Sequence, residues 1–164
     1  MKRVLYIVRH AKSSWDYEEI SDIDRPLKHR GIRNAYEMAR RLKIERNIPE
    51  LLISSPANRA LHTATIFLTV FEKDYSGLRI DHHLYGQGMN SVLNTIMAQP
   101  PEIKKLAIFG HNPDFSQLVA QFVSEPFIEL PTCGMAVFTF NCNSWSDISK
   151  DTVVSELVDF PKKE

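Results

Sequence analysis

Cysteine is nearly absent from the 164 residues: only Cys133 and Cys142 occur, too far apart for a CxxC redox or zinc pair. The expectation is two reduced thiols in a cytosolic protein rather than a disulfide framework. No apolar run approaches the roughly 20 residues of a membrane-spanning helix, and the stretch after Lys2-Arg3 is too short for a signal peptide, so no membrane partner is expected. Internal repeats, low-complexity tracts and Gly/Ser linkers are also missing. No domain boundary is drawn, and one domain over residues 1–164 is expected. Neither GxxxxGK[ST] nor GxGxxG occurs, which excludes a P-loop and a dinucleotide cradle. Net charge is zero, with 20 Lys/Arg against 20 Asp/Glu, and basic residues are not interleaved with aromatics, so no nucleic-acid partner is expected.

The charge is unevenly spread. Residues 1–46 hold 12 Lys/Arg against 7 Asp/Glu, a net +5, which leaves the remainder at net −5. Such asymmetry marks either an anion-attracting face or a solvated helix. Against this background the apolar residues fall into clear elements. Residues 3–8 read as a buried strand, and "ELLISS" and "KLAIFG" repeat that pattern. Ile32, Ala35, Met38, Ala39 and Leu42 recur at helical spacing, as do Ala60, Ala64, Phe67 and Phe71, and then Phe115, Leu118, Val119 and Phe122. Val92, Leu93, Ile96 and Met97 suggest a helix ended by Pro100-Pro101, and "LRID" a short strand. In "SSP" and "HNPD", Ser55 and Asn112 are placed to cap helices whose first residues are Pro56 and Pro113. "MAVFTF" and "VVSELVDF" close the chain as strands. Alternating strands and helices imply an α/β protein, a three-layer α/β/α sandwich whose mostly parallel central sheet gains an antiparallel edge from these two.

Ligands of such sheets bind beyond the carboxyl ends of the strands. There the sequence places Arg9 and His10, then Ser54, Ser55 and Arg59, then Gly110 and His111. Taken singly, an arginine there is explained by a surface ion pair and a histidine by a structural hydrogen bond. Together, two arginines and two histidines repel one another near a buried sheet end unless an anion joins them. Phosphate fits best: guanidinium forks match its oxygens, and the helix starts after Ser55 and Asn112 offer backbone N–H groups. One neutral imidazole is then suited to attack phosphorus, and the other, protonated, to neutralise charge on the transferring oxygens. No metal and no cofactor is required by this scheme. The neighbouring His82-His83 pair is expected to be a poor metal site, because adjacent strand residues point to opposite faces.

These segments resemble the histidine phosphatase superfamily, with its phosphoglycerate-mutase-like fold, and within it the branch of SixA-like phosphohistidine phosphatases. "VRHAKSSW", "DRPLKHRG", "SSPANRALHTA", "FGHNP" and "LPTCGM" match in order over nearly the whole chain. The resemblance implies a phosphatase in which His10 is transiently phosphorylated while Arg9, Arg59 and His111 hold the phosphoryl group. Asn112 is expected on the phosphate side from the helix start that follows it, and the resemblance implies a position at the pocket entrance for Arg25, whose alternative is a structural ion pair with Asp22 or Asp24.

The chain departs from the family in two places. Ala11 stands where the wider motif has glycine, and "HLYGQG" lacks the glutamate that serves many members as general acid two residues after a leucine. Loss of a positioned acid costs about 10²–10⁴-fold for an alkoxide leaving group. A phosphoramidate departs as neutral imidazole when its other ring nitrogen is protonated, so a phosphohistidine-bearing protein is the expected partner, unless Asp24 or Tyr85 replaces the acid. A compact lid is expected, if at all, from residues 11–30 or 84–91. The rival expectations are a phosphatase or mutase of a small phosphorylated metabolite, and a non-catalytic phosphate or phosphoprotein binding module.

Overall fold

The computed structural model of the chain describes residues 1–45 and 47–162, so that Arg46, Lys163 and Glu164 of the expected domain lie outside the described residues. Six strands form one sheet: β1 (Lys2–Arg9), β2 (Leu51–Ser54), β3 (Leu78–Ile80), β4 (Lys105–Gly110), β5 (Met135–Asn141) and β6 (Val153–Asp159). Four helices accompany them: α1 (His29–Ile44), α2 (Asn58–Val70), α3 (Met89–Met97) and α4 (Asp114–Phe122). The strand order is β3-β2-β4-β1-β5-β6. The first four strands pair in parallel, and β5 and β6 add an antiparallel edge.

Strand periodicity sorts the core into two layers. On β1, Leu5 and Ile7 face one way and Tyr6 and Val8 the other; on β4, Leu106 and Ile108 oppose Ala107 and Phe109. Leu5, Ile7, Leu106 and Ile108 pack with Val92 and Ile96 of α3 and Phe115, Leu118 and Val119 of α4. The opposite face packs with Ala35, Met38 and Ala39 of α1 and Ala64 and Phe67 of α2. Each fully buried side chain of this kind contributes about 1.5–3 kcal/mol, so the sheet is a stiff platform for whatever its ends carry. β6, by contrast, is mostly exposed, as befits an edge.

Both expected helix starts shift. Ser55 and Pro56 precede α2 without being its cap and first residue; Ala57 holds the cap position, with no side-chain hydrogen bond. The Ser55 hydroxyl instead accepts the Ala57 N–H at 3.2 Å and turns toward His111. At α4, Pro113 occupies the cap position and the helix begins at Asp114, while Asn112 Oδ1 accepts the Ser116 N–H at 3.1 Å.

The glycine that closes "DRPLKHRG" has a steric reason. A Cβ on Gly31 would lie 2.2 Å from the Lys12 carbonyl oxygen, so only glycine lets α1 approach the chain just beyond His10 this closely.

Candidate active site

The parallel register pairs Arg9 with Gly110 and Ser54 with Phe109, which sets His10, Ser55 and His111 side by side past the carboxyl ends of β1, β2 and β4. The main chain of His10 is held from several directions. Its N–H donates to Gly110 O at 2.9 Å, and its carbonyl accepts the Cys133 N–H at 3.0 Å. On either side, Arg9 N–H donates to Gly134 O at 3.0 Å and Ala11 N–H to Thr63 Oγ1 at 3.0 Å. Thr63 in turn donates to the Arg59 carbonyl at 2.7 Å, tying the α2 segment to the His10 turn. The late "LPTCGM" segment and the threonine of "SSPANRALHTA" thus brace the same residue.

The His10 ring lies with Nδ1 2.7 Å from the Ala11 carbonyl oxygen. A carbonyl only accepts, so Nδ1 carries the hydrogen and Nε2 keeps its lone pair. The ring centre is 5.2 Å from that of His111, whose Nε2 is 2.7 Å from Ser55 Oγ. Arg9 donates through Nη1 to Leu130 O at 3.0 Å and lies 3.5 Å from Glu129. Arg59 reaches Asp22 with both arms, Nη1 to the carbonyl at 2.7 Å and Nη2 to Oδ2 at 3.0 Å. Three buried nitrogens of these residues, Arg9 Nε, Arg59 Nε and His111 Nδ1, have no hydrogen-bond partner among the described residues. Such orphans are costly alone, and an oxyanion would satisfy them together.

Burial, with the Arg59 and Arg9 charges adding to it, pushes His10 down to about 4. Burial also pushes His111 down to about 3, helped by His10 and Arg59. Burial and the neighbouring charges thus favour the neutral form of both rings in the free protein. The like-charge argument adds to burial, since Arg59 and Arg9 also disfavour a proton on either ring.

Two further residues complete the rim. Asp22, not Asp24, enters the site: its Oδ2 accepts the Tyr85 hydroxyl at 2.6 Å as well as Arg59, and its Oδ1 accepts Arg25 Nε at 3.1 Å. Asp24 accepts from Ser21 at 2.9 Å and is exposed. Asp22 and Tyr85 come from the two segments named above as lid candidates, 11–30 and 84–91, and their hydrogen bond joins the two. The Tyr85 ring also packs edge-on to His111 at 5.3 Å, and its bond to Asp22 raises the phenol's pKa. Arg25 takes the ion pair with Asp22, donates to Ser13 Oγ at 2.8 Å and lies 3.5 Å over the exposed Trp15 ring. The Asn112 amide donates to Leu130 O at 3.0 Å, bracing the segment that also receives Arg9. The sequence marks Asp22 only as one of two ion-pair partners for Arg25, Ser55 only as a strand-end residue and helix cap, and Thr63 only by its place in "SSPANRALHTA".

His82 and His83 do not lie on the strand expected for them. These residues form a single 3-10 turn, not a strand, so their rings sit 4.1 Å apart, and His83 Nδ1 is 2.7 Å from Asp81 Oδ1. Among the described residues, the donor atoms of Asp81, His82 and His83 lie within 4.8 Å of one another, close enough to hold a metal ion. They lie at the surface, and their side chains take no part in the His10–His111 contacts.

Just past a strand end, an imidazole whose Nε2 keeps its lone pair thus stands beside a second imidazole and the guanidiniums of Arg9 and Arg59, a set suited to an oxyanion. The chain belongs to the histidine phosphatase superfamily and is a phosphatase by class: the model of branch 1 of that superfamily matches residues 5–84. An uncharacterised chloroplastic protein of Arabidopsis thaliana is 31% identical over 162 residues, covering 90% of this chain and 71% of the relative. An uncharacterised Mycobacterium tuberculosis protein is 30% identical over 158 residues, covering 86% and 91%. Among solved structures, the candidate phosphohistidine phosphatase SixA of Agrobacterium tumefaciens is 28% identical with a TM-score of 0.75, covering 83% of this chain and 90% of that one. The protein histidine phosphatase SixA complexed with tungstate shares the fold, at 21% identity and a TM-score of 0.75, over 96% and 94% of the two chains. The phosphoglycerate-mutase-like α/β fold expected above is thus the fold observed. Among the described residues, no helix is long and apolar enough to cross a membrane.

Proposed function

We propose that the protein is a phosphohistidine phosphatase that works through a covalent phospho-His10 intermediate, with residues 1–164 acting as one catalytic unit. The observation that carries this reading is the state of the His10 ring. Nδ1 is tied to the Ala11 carbonyl, so Nε2 keeps its lone pair, and among the described residues Arg9 Nε, Arg59 Nε and His111 Nδ1 have no acceptor.

In the mechanism, Nε2 attacks phosphorus in line as the leaving group departs opposite. Arg9, Arg59 and His111 hold the equatorial oxygens, supplying by fixed positive charge and hydrogen bonds what the loose transition state demands. The arriving phosphoryl dianion raises the proton affinity of His111, so the ring that is neutral in the free protein gains a proton in the complex. Once protonated, the ring donates from Nε2 to the Ser55 hydroxyl oxygen and has its Nδ1–H left for a phosphoryl oxygen. Water then attacks the phospho-His10 and releases inorganic phosphate. Arginine and histidine supply all the positive charge the scheme uses, and no metal or cofactor step enters it.

The substrate assignment, a phosphohistidine on another protein, rests on the chemistry of the rim. Residues 84–88 bring a phenol and no carboxylic acid, and Asp22, the carboxylate that meets this phenol, is held ionised by Tyr85 and the two arginines. An alkyl phosphate would find no acid there, whereas a protonated phosphoimidazole needs none. The name of the tungstate-bound neighbour, a protein histidine phosphatase, supports the same reading. The free thiols of Cys133 and Cys142 suit a reducing compartment, and we place the protein in the cytosol, in a relay of protein-bound phosphoryl groups.

The test compares kcat/KM for a phosphohistidine peptide with that for sugar phosphates and phosphoglycerate, in the native protein and in His10→Ala. Preference for the peptide and abolition by His10→Ala are expected. A strong preference for a metabolite would overturn the substrate assignment, and turnover surviving in His10→Ala would overturn the enzyme mechanism.

A further inference from the structure

Three donors from three separate parts of the chain meet on Asp22. Arg59 Nη2 and the Tyr85 hydroxyl donate to Oδ2 at 3.0 and 2.6 Å, and Arg25 Nε donates to Oδ1 at 3.1 Å. A carboxylate offers about four acceptor positions. Three are filled by the protein, which leaves one on Oδ1, and the side chain is 50% exposed although the arginines around it are buried. Arg59 also lies close enough to His10 to lower its proton affinity, so Asp22 stands one guanidinium away from the nucleophile.

We propose that Asp22 is the subsite for the leaving group, its carboxylate accepting the ring N–H of the substrate's phosphorylated imidazole. The proposal rests on the phosphohistidine reading above and adds the residue that makes that substrate class preferred. A bond forms between His10 Nε2 and phosphorus while the P–N bond of the substrate breaks, its electron pair passing to the departing ring nitrogen. With a proton on the other ring nitrogen the product is neutral imidazole; without it, a strongly basic imidazolate. Asp22 holds that proton in place throughout, and no proton moves to the departing atom. The same division of labour, a fixed carboxylate orienting an imidazole N–H, is how a catalytic triad uses its aspartate.

The inference explains why a carboxylate that cannot serve as an acid stands at the rim. The Tyr85 hydrogen bond, with those of Arg59 and Arg25, holds the Asp22 carboxyl far below the usual carboxylate range. Such a group gives nothing to a departing alkoxide, which has no N–H to offer. It favours a ring that has one, by roughly ten- to a hundredfold for a hydrogen bond to a charged acceptor.

The experiment uses two small probes, N-phosphoimidazole and 4-nitrophenyl phosphate, whose phenolate leaves without a proton. The ratio of their kcat/KM values is measured in the native protein, Asp22→Asn and Asp22→Glu. Asp22→Asn is expected to lower the ratio by about tenfold or more, and Asp22→Glu, which keeps the charge, to hold it within about threefold. A ratio unchanged in Asp22→Asn, whatever the absolute rates, would overturn the subsite. A measurement on the native protein covers the case of a poorly folded variant. Acceleration over spontaneous hydrolysis should be about tenfold smaller for the N-methylated phosphoimidazole, which lacks the N–H, and equal acceleration would count equally against Asp22. Hydrolysis of neither probe by the native protein would overturn the phosphatase reading itself, an outcome distinct from hydrolysis of both with an insensitive ratio.

Discussion

The His10 and His111 rings stand 5.2 Å apart between centres and 49° out of parallel, at the ends of adjacent parallel strands. Neither ring has a carboxylate as its hydrogen-bond partner; His10 has the Ala11 carbonyl and His111 the Ser55 hydroxyl. With the guanidiniums nearby, the pair is set to refuse protons until an anion arrives. The ring C–H resonances of His10 and His111 should therefore titrate near 4 and 3, well below the ordinary 6.5, when followed by NMR. Adding tungstate should raise the His111 midpoint. Midpoints near 6.5 in the free protein would contradict the electrostatics of the site.

Stability should follow the same groups. The unfolded chain binds protons on these two histidines at about 6.5, and the folded protein does so only near 4 and 3. Between these values the unfolded state holds more protons, so stability falls as pH falls through the window from about 6.5 toward 4. Asp22, lowered from 3.8, adds a loss in the same direction at still lower pH. Thermal unfolding across this range should show the decline, and a His10→Asn, His111→Asn double variant should show a flatter one. An identical slope in the variant would mean that other groups set the acid limit.

Ser55 joins fold to chemistry. Removing its hydroxyl strips His111 of its partner and Ala57 N–H of its acceptor. Ser55→Ala should lower kcat/KM about tenfold while costing only about 1 kcal/mol of stability in a urea titration. If kcat/KM stays within twofold, Ser55 is a turn residue and nothing more.

Gly31→Ala tests how tightly α1 supports the site from behind. The new Cβ would meet backbone, Lys12 O at 2.2 Å and Lys12 N at 2.9 Å, which cannot swing aside as a side chain does. A loss of about 1–3 kcal/mol is expected, together with reduced kcat, because Lys12 follows the His10-Ala11 turn. A variant of native stability and activity would show that the approach of α1 is not needed.

The strands that carry the site were legible because burial on both faces leaves continuous apolar runs, as in Val4–Val8 and in "KLAIF". Topology then brought Arg9, His10, Arg59 and His111 together, since parallel strands end on the same side. What escaped depends on contacts that spacing does not encode. Ser55 reads as a helix cap by type, yet its hydroxyl serves His111, 56 residues away. Choosing Asp22 over Asp24 turns on which carboxylate reaches Tyr85, 63 residues on, and no local pattern separates two aspartates two apart. His82 and His83 were read with strand geometry, and a single 3-10 turn was enough to bring their rings together.

The central claim is the covalent intermediate, and one measurement addresses it most directly. The protein is mixed with a ³²P-labelled phosphoryl donor, quenched in base during turnover, digested and mapped. The account predicts acid-labile, base-stable label on the peptide that contains His10, absent from His10→Ala. Active turnover with no label on His10, or label on another residue, would contradict it.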